Sequence, residues 1–107
     1  MNAQFKKGIL EICVLVLLEK KDCYGYELVQ MISRKVEVAE GSMYPILRRF
    51  TKDGYCTTYL QESTDGPSRK YYRLTKQGAN YLQKQMAEWK AFTKAVNQLI
   101  EEDDDNE

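Results

Sequence analysis

Residues 41–55, GSMYPILRRFTKDGY, decide how the chain is interpreted, because they combine the signals of a short helix with a pair of arginines. Ser42 can cap the helix by accepting hydrogen bonds from exposed backbone N–H groups. Pro45 is expected in the first turn, where its missing N–H costs nothing, and Gly54 is a typical C-terminal stop. The stretch therefore predicts a basic helix that either packs as a plain amphipathic helix or enters another molecule.

Two helices are predicted upstream of this one. Residues 5–19 carry apolar side chains around most of the helix circumference, so more than one surface must cover them. A second helix is predicted over residues 24–35 from the helical period of its apolar residues, with Asp22 as a plausible cap. Residues 37–40 then form a short loop.

Downstream, the composition changes to that of a β-hairpin. Residues 55–62, YCTTYLQE, alternate and are rich in tyrosine and threonine, which favours a strand. Residues 63–68, STDGPS, contain the Asp-Gly and Gly-Pro pairs of a turn. Residues 69–74, RKYYRL, predict a basic return strand.

A long last helix follows, for which Thr75 is the predicted cap. Its apolar stripe consists of Leu82, Met86, Trp89, Phe92, Val96, Leu99 and Ile100. A helix of some 25 residues with a heptad-like seam exceeds what so small a domain needs for its own core. We expect it to pack against a second copy of the chain, the alternative being that it folds back on its own domain.

Three helices, a hairpin and a long helix, in this order, are typical of a winged helix-turn-helix, an α+β fold that is mainly α. The predicted units are a winged-helix DNA-binding domain over residues 1–74, a C-terminal dimerisation helix over residues 75–100 and an acidic disordered tail over residues 101–107. At 107 residues, the chain forms one domain at most.

The formal net charge of zero hides an asymmetry between body and tail. Residues 101–107 hold six of the sixteen acidic residues. Residues 1–100 keep sixteen basic residues against ten acidic ones, a net charge of +6. A basic body suggests an anionic partner, although an acidic tail by itself is also typical of a solvated, frayed C-terminus.

Several other classes of function are disfavoured. The chain has no histidine and three cysteines, Cys13, Cys23 and Cys56, without CxxC spacing, so we expect neither a zinc site nor a disulfide framework. We expect no cofactor and no enzyme activity, because the sequence has no Gly-rich phosphate loop or paired-carboxylate motif. No apolar run is long enough to span a membrane, and Glu11 interrupts the N-terminal apolar run, which argues against a signal peptide. We therefore expect a cytoplasmic protein.

In a helix-turn-helix, the second helix of the pair enters the major groove of double-stranded DNA. Neighbouring residues of a helix lie about 100° apart, so at least one of Arg48 and Arg49 should meet a phosphate rather than a base. Cations at the hairpin tip suit the phosphate backbone or the minor groove. The predicted DNA contacts are Ser42, Tyr44, Pro45, Arg48, Arg49 and Lys52 on the helix and Ser68, Arg69 and Lys70 on the hairpin. Winged helices also dock on proteins, so a protein-binding module without DNA binding is the alternative.

Three stretches, YGYELVQMI, EGSMYPILRRFTKDGY and DGPSRKYYRLTKQG, resemble the PadR family of bacterial transcriptional regulators. The resemblance runs from about Ile9 to Ile100, and the single long terminal helix is similar to that of the short-tailed branch. It implies a winged-helix homodimer that usually represses transcription. It places Ser42, Tyr44, Pro45 and Arg48 on the recognition helix, Arg69 and Lys70 on the wing, and Tyr71, Tyr72 and Leu74 in the part of the hairpin that packs on the body.

Trp89 is the only tryptophan and lies mid-seam on the last helix. In a two-fold dimer a seam residue meets its symmetry mate, so two indoles either clamp a flat aromatic molecule or simply fill the dimer core. Some short members of the resembled family bind planar hydrophobic compounds between tryptophans here, and their first helix lines the same cavity. The resemblance then implies an effector site formed with Phe5, Gly8, Ile12, Gln85 and Thr93, unless Phe5 itself fills the space.

Overall fold

The computed structural model describes residues 3–105, and the side chains of residues 7–39 and 41–102. Within these residues the elements are α1 (Ala3–Lys20), β1 (Cys23–Tyr24), α2 (Gly25–Ser33), α3 (Glu40–Lys52), β2 (Cys56–Ser63), β3 (Gly66–Leu74) and α4 (Lys76–Asp105). The order of helices and strands confirms the predicted winged helix-turn-helix, in which β2 and β3 form the wing.

The sheet is antiparallel, with strand order β1-β3-β2. Ser63 pairs with Gly66, so the wing turns over residues 64–65 and much of the predicted 63–68 turn belongs to the strands. β1 was not predicted, because two residues are too short to show a period. Its residues pair with the end of β3, Cys23 with Tyr72 and Tyr24 with Tyr71.

The hydrophobic core lies where α1, α2, α3, the base of the sheet and the start of α4 meet. The predicted stripe of α3 is buried, since Ile46, Leu47 and Phe50 are at most 2% exposed. The rest of the core includes Leu10, Val14, Leu15, Leu18, Cys23, Leu28, Ile32, Met43, Cys56, Tyr72 and Leu82. This packing fixes α3 and the base of the wing on one rigid body.

Two predicted helix caps are wrong. α2 begins at Gly25, too far along the chain for Asp22 to cap it. The Asp22 carboxylate instead accepts hydrogen bonds from the Tyr59 hydroxyl and the Arg73 guanidinium, at 2.7 and 3.0 Å. α3 begins at Glu40, which makes Ser42 its third residue and moves Pro45 into its second turn.

The end of α3 and the start of α4 are joined by short contacts. Gly54 has φ +82°, the left-handed conformation expected of a helix stop. The Thr75 hydroxyl accepts a hydrogen bond from the Gly78 amide at 2.9 Å, as predicted for a cap, and donates one to the Gly54 carbonyl at 2.7 Å. A Cβ at Gly78 would lie 2.0 Å from the Tyr55 carbonyl oxygen, so α4 touches the backbone after α3.

α4 has 30 residues and a length of about 45 Å, longer than predicted. It buries Leu82 in the core, but farther along Phe92 is 56% exposed and Leu99 and Ile100 are about two-thirds exposed. The helix runs on to Asp105, so residues 101–105 do not form the predicted disordered tail, and residues 106 and 107 lie outside the described part. None of the helices in the described part of the chain combines the length and the hydropathy that spanning a bilayer requires.

Candidate nucleic-acid interface

A cleft of about 440 Å³ separates the recognition helix α3 from the wing. Its lining is basic and aromatic, and consists of Tyr24, Gly25, Tyr26, Tyr44, Arg48, Arg69, Lys70 and Tyr72. Two of the predicted helix residues and two of the predicted wing residues therefore share one concave surface. Arginine and lysine cations and tyrosine hydroxyls are among the groups that bind the phosphates and sugars of DNA.

Tyr44 owes its position to Gly25, the first residue of α2. A Cβ at residue 25 would lie 2.7 Å from Cε1 of Tyr44, so the glycine leaves room for the ring to rest against the start of α2. Tyr44 is half-buried as a result, while Arg48, one turn farther along α3, is exposed. The recognition helix thus presents a fixed ring and a free cation to the cleft.

The wing brings two neighbouring cations to the same cleft from opposite faces of β3. Alternation along the strand places Lys70 and Tyr72 on the core side and Arg69 on the other side. The Arg69 guanidinium lies over the Tyr24 ring, 4.7 Å from its centroid, and the Lys70 ammonium lies 5.8 Å from the Tyr72 centroid. Both cations are therefore held near aromatic rings at the base of the wing.

The other predicted contacts are exposed but lie outside the set that lines the cleft. Ser42 and Pro45 are in the N-terminal half of α3, and Lys52 is its last residue. Ser68 is on the part of β3 nearest the wing turn. These four residues are therefore not among those that form the cleft.

Arg49 does not face the cleft. Its guanidinium donates a hydrogen bond to the Glu11 carboxylate on α1 and lies 5.3 Å from the centroid of Phe50. The hydrogen bond to Glu11 raises the pKa of the Arg49 side chain above its usual value. The structure therefore places the Arg49 charge in an ion pair between α3 and α1, outside the set of residues that line the cleft.

A second concave surface lies between α1 and α4, with a volume of about 330 Å³. It is lined by Gly8, Ile9, Ile12, Gln85, Glu88, Trp89 and Phe92. Four of the predicted effector residues, Gly8, Ile12, Gln85 and Trp89, are thus brought together. We call this surface the α1–α4 groove.

Two predicted effector residues have a different outcome. Thr93 is not among the groove-lining residues, and its hydroxyl donates hydrogen bonds to the Trp89 and Lys90 carbonyls of its own helix, at 3.0 and 3.2 Å. The side chain of Phe5 lies outside the described part of the structure. Ile9, Glu88 and Phe92 line the groove without having been predicted, although their helical spacing from Ile12, Gln85 and Trp89 places them on the same faces.

Comparison with known proteins agrees with this geometry. The model of the transcriptional regulator PadR-like family matches residues 14–84, which include α2, α3 and the wing. The chain belongs to this family. PadR regulators bind DNA and control transcription, and they are not enzymes, so the chain is a DNA-binding transcriptional regulator.

Solved PadR structures resemble this one over nearly their full length. A PadR-like transcriptional regulator from Bacillus cereus is 36% identical, with a TM-score of 0.82 over 92% of this chain and 97% of that chain. A PadR family regulator from Clostridium difficile is 35% identical, with a TM-score of 0.78 over 85% and 97% of the two chains. At the level of sequence alone, a protein from Lysinibacillus sphaericus is 32% identical over 99 residues, which cover 89% of this chain and 91% of that protein.

The prediction missed one part of this PadR protein's cleft, the stretch Tyr24–Gly25–Tyr26. The sequence analysis used these residues as the start of a helix and as part of the family resemblance. Two tyrosines around a glycine at the start of a helix are a signal that could have been interpreted as a surface for close approach.

Proposed function

We propose that this PadR protein represses transcription in the cytoplasm as a homodimer, and that a flat hydrophobic effector bound in the α1–α4 groove releases it from DNA. The observation that carries the proposal is the apolar stripe of α4. Phe92, Leu99 and Ile100 are each more than half exposed in the single chain. A contiguous apolar stripe on a helix of this length is typical of an interface between subunits.

A second copy packed along α4 would also complete the groove. Trp89 is half-buried, with its indole on the groove that α1 and α4 form within one chain. Near a two-fold axis the same residues of the partner would face it. Two apolar walls with a flat ring on each suit a planar hydrophobic molecule. An effector of this kind would act by favouring one spacing of the two recognition helices over another.

The DNA contacts follow from the cleft. We expect Arg48 and Tyr44 to approach the major groove together with Ser42 and Pro45 at the start of α3. Arg69, Lys70 and Ser68 would reach the adjacent phosphates or minor groove, and Lys52 a flanking phosphate. A symmetric dimer then requires two half-sites about one helical turn apart, or a multiple of that spacing.

Light scattering tests the dimer. The wild-type protein should show twice the mass of one chain, and Leu99→Lys together with Ile100→Lys should shift it toward one chain mass by placing charges in the interface. Asn97→Lys together with Gln98→Lys is the matched control, since it adds the same two charges next to the stripe on exposed polar positions. A wild-type mass of one chain at micromolar concentration would refute the proposal.

Salt dependence tests the DNA interface. Binding to a duplex from upstream of the protein's own gene should weaken steeply with salt, because phosphate contacts release counterions. Replacing Arg69 and Lys70 by alanine should lower the slope by up to about two. A docking module that works through an apolar protein interface would show neither effect.

The effector is tested with a flat aromatic dye. Binding in the groove should quench Trp89, the only indole of the chain, and dye at saturating concentration should weaken operator binding. Unchanged Trp89 emission at high dye concentration would count against the groove, while quenching without any change in DNA affinity would separate binding from regulation.

A further inference from the structure

We propose that Tyr24 is a positioning residue for DNA binding, whose ring holds the Arg69 guanidinium of the wing in the cleft beside Arg48. The proposal rests on the DNA-facing wing of the proposed function and adds a part that neither α3 nor the wing contains. Tyr24 belongs to β1, the two-residue edge strand that precedes α2.

The register of the sheet places three tyrosines in one row. Tyr71 of β3 pairs with Tyr24 of β1 on one side and with Tyr59 of β2 on the other. Residues that pair directly share a face of the sheet. The rings of Tyr24 and Tyr71 meet edge to face at 5.4 Å, and those of Tyr71 and Tyr59 stack at 5.6 Å. Tyr71 therefore packs in the middle of this tyrosine row, between Tyr24 of β1 and Tyr59 of β2.

An arginine lies over each end of the tyrosine row. Arg69 and Arg73 flank Tyr71 on the same face of β3, two residues away on either side. The Arg69 guanidinium lies 4.7 Å from the Tyr24 centroid, and that of Arg73 lies 5.0 Å from the Tyr59 centroid. The two arginines have a similar aromatic contact but different surroundings.

Arg73 is fixed by a carboxylate, and Arg69 is not engaged in this way among the described contacts. The Asp22 carboxylate accepts from both Arg73 and the Tyr59 hydroxyl. This hydrogen bond to Asp22 raises the pKa of the Tyr59 hydroxyl. The Arg73 side chain is thereby fixed by Asp22 and anchors the base of the wing. The Arg69 end keeps its cation at the cleft, with its donors available to an anion.

Holding Arg69 matters because an exposed arginine otherwise loses rotamer freedom on binding. Ordering such a side chain on binding reduces the affinity, and a guanidinium stacked on a ring has part of that ordering in place already. A planar guanidinium can keep its flat face on Tyr24 while its edge donates to a phosphate. Lysine cannot do this equally well, since its ammonium is a point charge.

The test uses the full-length protein and a duplex from upstream of its own gene, with affinity measured by anisotropy at several salt concentrations. Arg69→Lys keeps the positive charge. Because the side chain of residue 69 is exposed, this substitution should not disturb folding. Tyr24→Phe keeps the ring, whereas Tyr24→Leu removes it. Arg73→Lys is the matched control, because it makes the same change at the anchored end of the row.

We expect Arg69→Lys and Tyr24→Leu each to weaken binding about two- to fivefold, the factor that an exposed cation–π contact of about 0.5–1 kcal/mol represents. Tyr24→Phe and Arg73→Lys should bind close to wild type. Adding Tyr24→Leu to Arg69→Ala should produce no further loss, because Tyr24 acts through Arg69. The salt slope should fall by about one in Arg69→Ala and remain at that value in the double variant.

Three results would overturn the assignment. Wild-type affinity of Tyr24→Leu or Arg69→Lys would show that the ring does not position the cation. A full additional loss in the double variant would mean that Tyr24 acts on DNA directly or through the fold, and thermal unfolding of each variant distinguishes these two. If the wild-type protein itself fails to bind the duplex at low salt, the proposed function is refuted. If the wild type binds and none of these substitutions changes its affinity, only the role of Tyr24 is refuted.

Discussion

Arg49 of the recognition helix is bound to Glu11 of α1, while Arg48, its neighbour in the chain, is free to enter the cleft. The two arginines thus have different tasks despite their identical chemistry. Glu11 lies on the same helix as Gly8 and Ile12, which line the α1–α4 groove. The ion pair therefore connects α1, which lines the groove, with α3, which lines the cleft.

The first prediction separates the two arginines by substitution to alanine. Arg49→Ala should lower the free energy of unfolding by about 1–2 kcal/mol, because a partly buried, charge-assisted hydrogen bond is lost and Glu11 is left without it. Arg48→Ala should leave stability within about 0.5 kcal/mol and reduce the salt slope of DNA binding by about one. Urea denaturation and anisotropy measure the two effects, and the reverse assignment of phenotypes would contradict the ion pair.

The second prediction concerns Gly25, whose missing side chain leaves space for Tyr44. In Gly25→Ala the new Cβ would lie 2.7 Å from the Tyr44 ring, so the ring must swing away. We expect DNA affinity to fall by about fivefold, the effect of losing one ordinary contact of about 1 kcal/mol. Gly41→Ala on α3 is the control, because among the described residues a Cβ there meets nothing within 4 Å. Equal binding by both variants would show that the position of Tyr44 is unimportant.

The third prediction concerns the junction between the wing and α4. Gly78→Ala places a Cβ 2.0 Å from the Tyr55 carbonyl oxygen and 2.7 Å from Leu74 Cδ1. Backbone cannot move aside as a side chain can, so we expect a loss of at least about 2–3 kcal/mol in the free energy of unfolding. Thr75→Ala, which removes the cap of α4, should cost about 1 kcal/mol. Chemical denaturation measures both, and a Gly78→Ala variant as stable as Thr75→Ala would refute the close approach.

The sequence predicts the long elements well for a physical reason. α1 is apolar around most of its circumference, and α3 and α4 carry apolar stripes over several turns. Thr75 and Gly54 act at the short junctions where helices end or begin. β1 could not be predicted, because a two-residue strand has no period and exists through its pairing with β3. The start of α3 was also misplaced, since Ser42 has the chemistry of a cap but Ala39 occupies that position.

The residues of the candidate sites also differ in whether the sequence alone could identify them. Arg48, Tyr44, Arg69 and Lys70 could be assigned because the order of elements fixes which helix and hairpin face the same side. The role of Arg49 depends on Glu11, 38 residues earlier, and no local pattern encodes that pairing. Gly25 and Tyr24 were missed for a similar reason, as their importance lies in what packs against them.

The fourth prediction is a pH dependence that arises from Cys23. Burial raises the pKa of its thiol to about 11, with the nearby Glu27 carboxylate acting in the same direction. The folded protein therefore retains a proton that the unfolded chain loses at lower pH. The stability contributed by the neutral thiol is fully present below the ordinary thiol pKa and is lost as the pH rises toward 11. Urea midpoints of Cys23→Ala should fall less between pH 8 and pH 10.5 than those of the wild type, and parallel curves would contradict this.

The last prediction uses Gly8 to close the α1–α4 groove without disturbing the core. Among the described residues a Cβ at Gly8 meets nothing within 4 Å, and the residue lines the groove opposite Trp89. Gly8→Leu should occupy the space that a flat aromatic dye needs and weaken binding of the dye about tenfold, which corresponds to about 1.4 kcal/mol. Gly8→Ala is the matched control, because it adds one carbon and should stabilise α1 by about 0.5–1 kcal/mol. Trp89 quenching measures the dye, and DNA affinity in its absence should be unchanged in both variants. If Gly8→Leu binds the dye as tightly as Gly8→Ala, the dye is bound elsewhere and the groove is not the effector site.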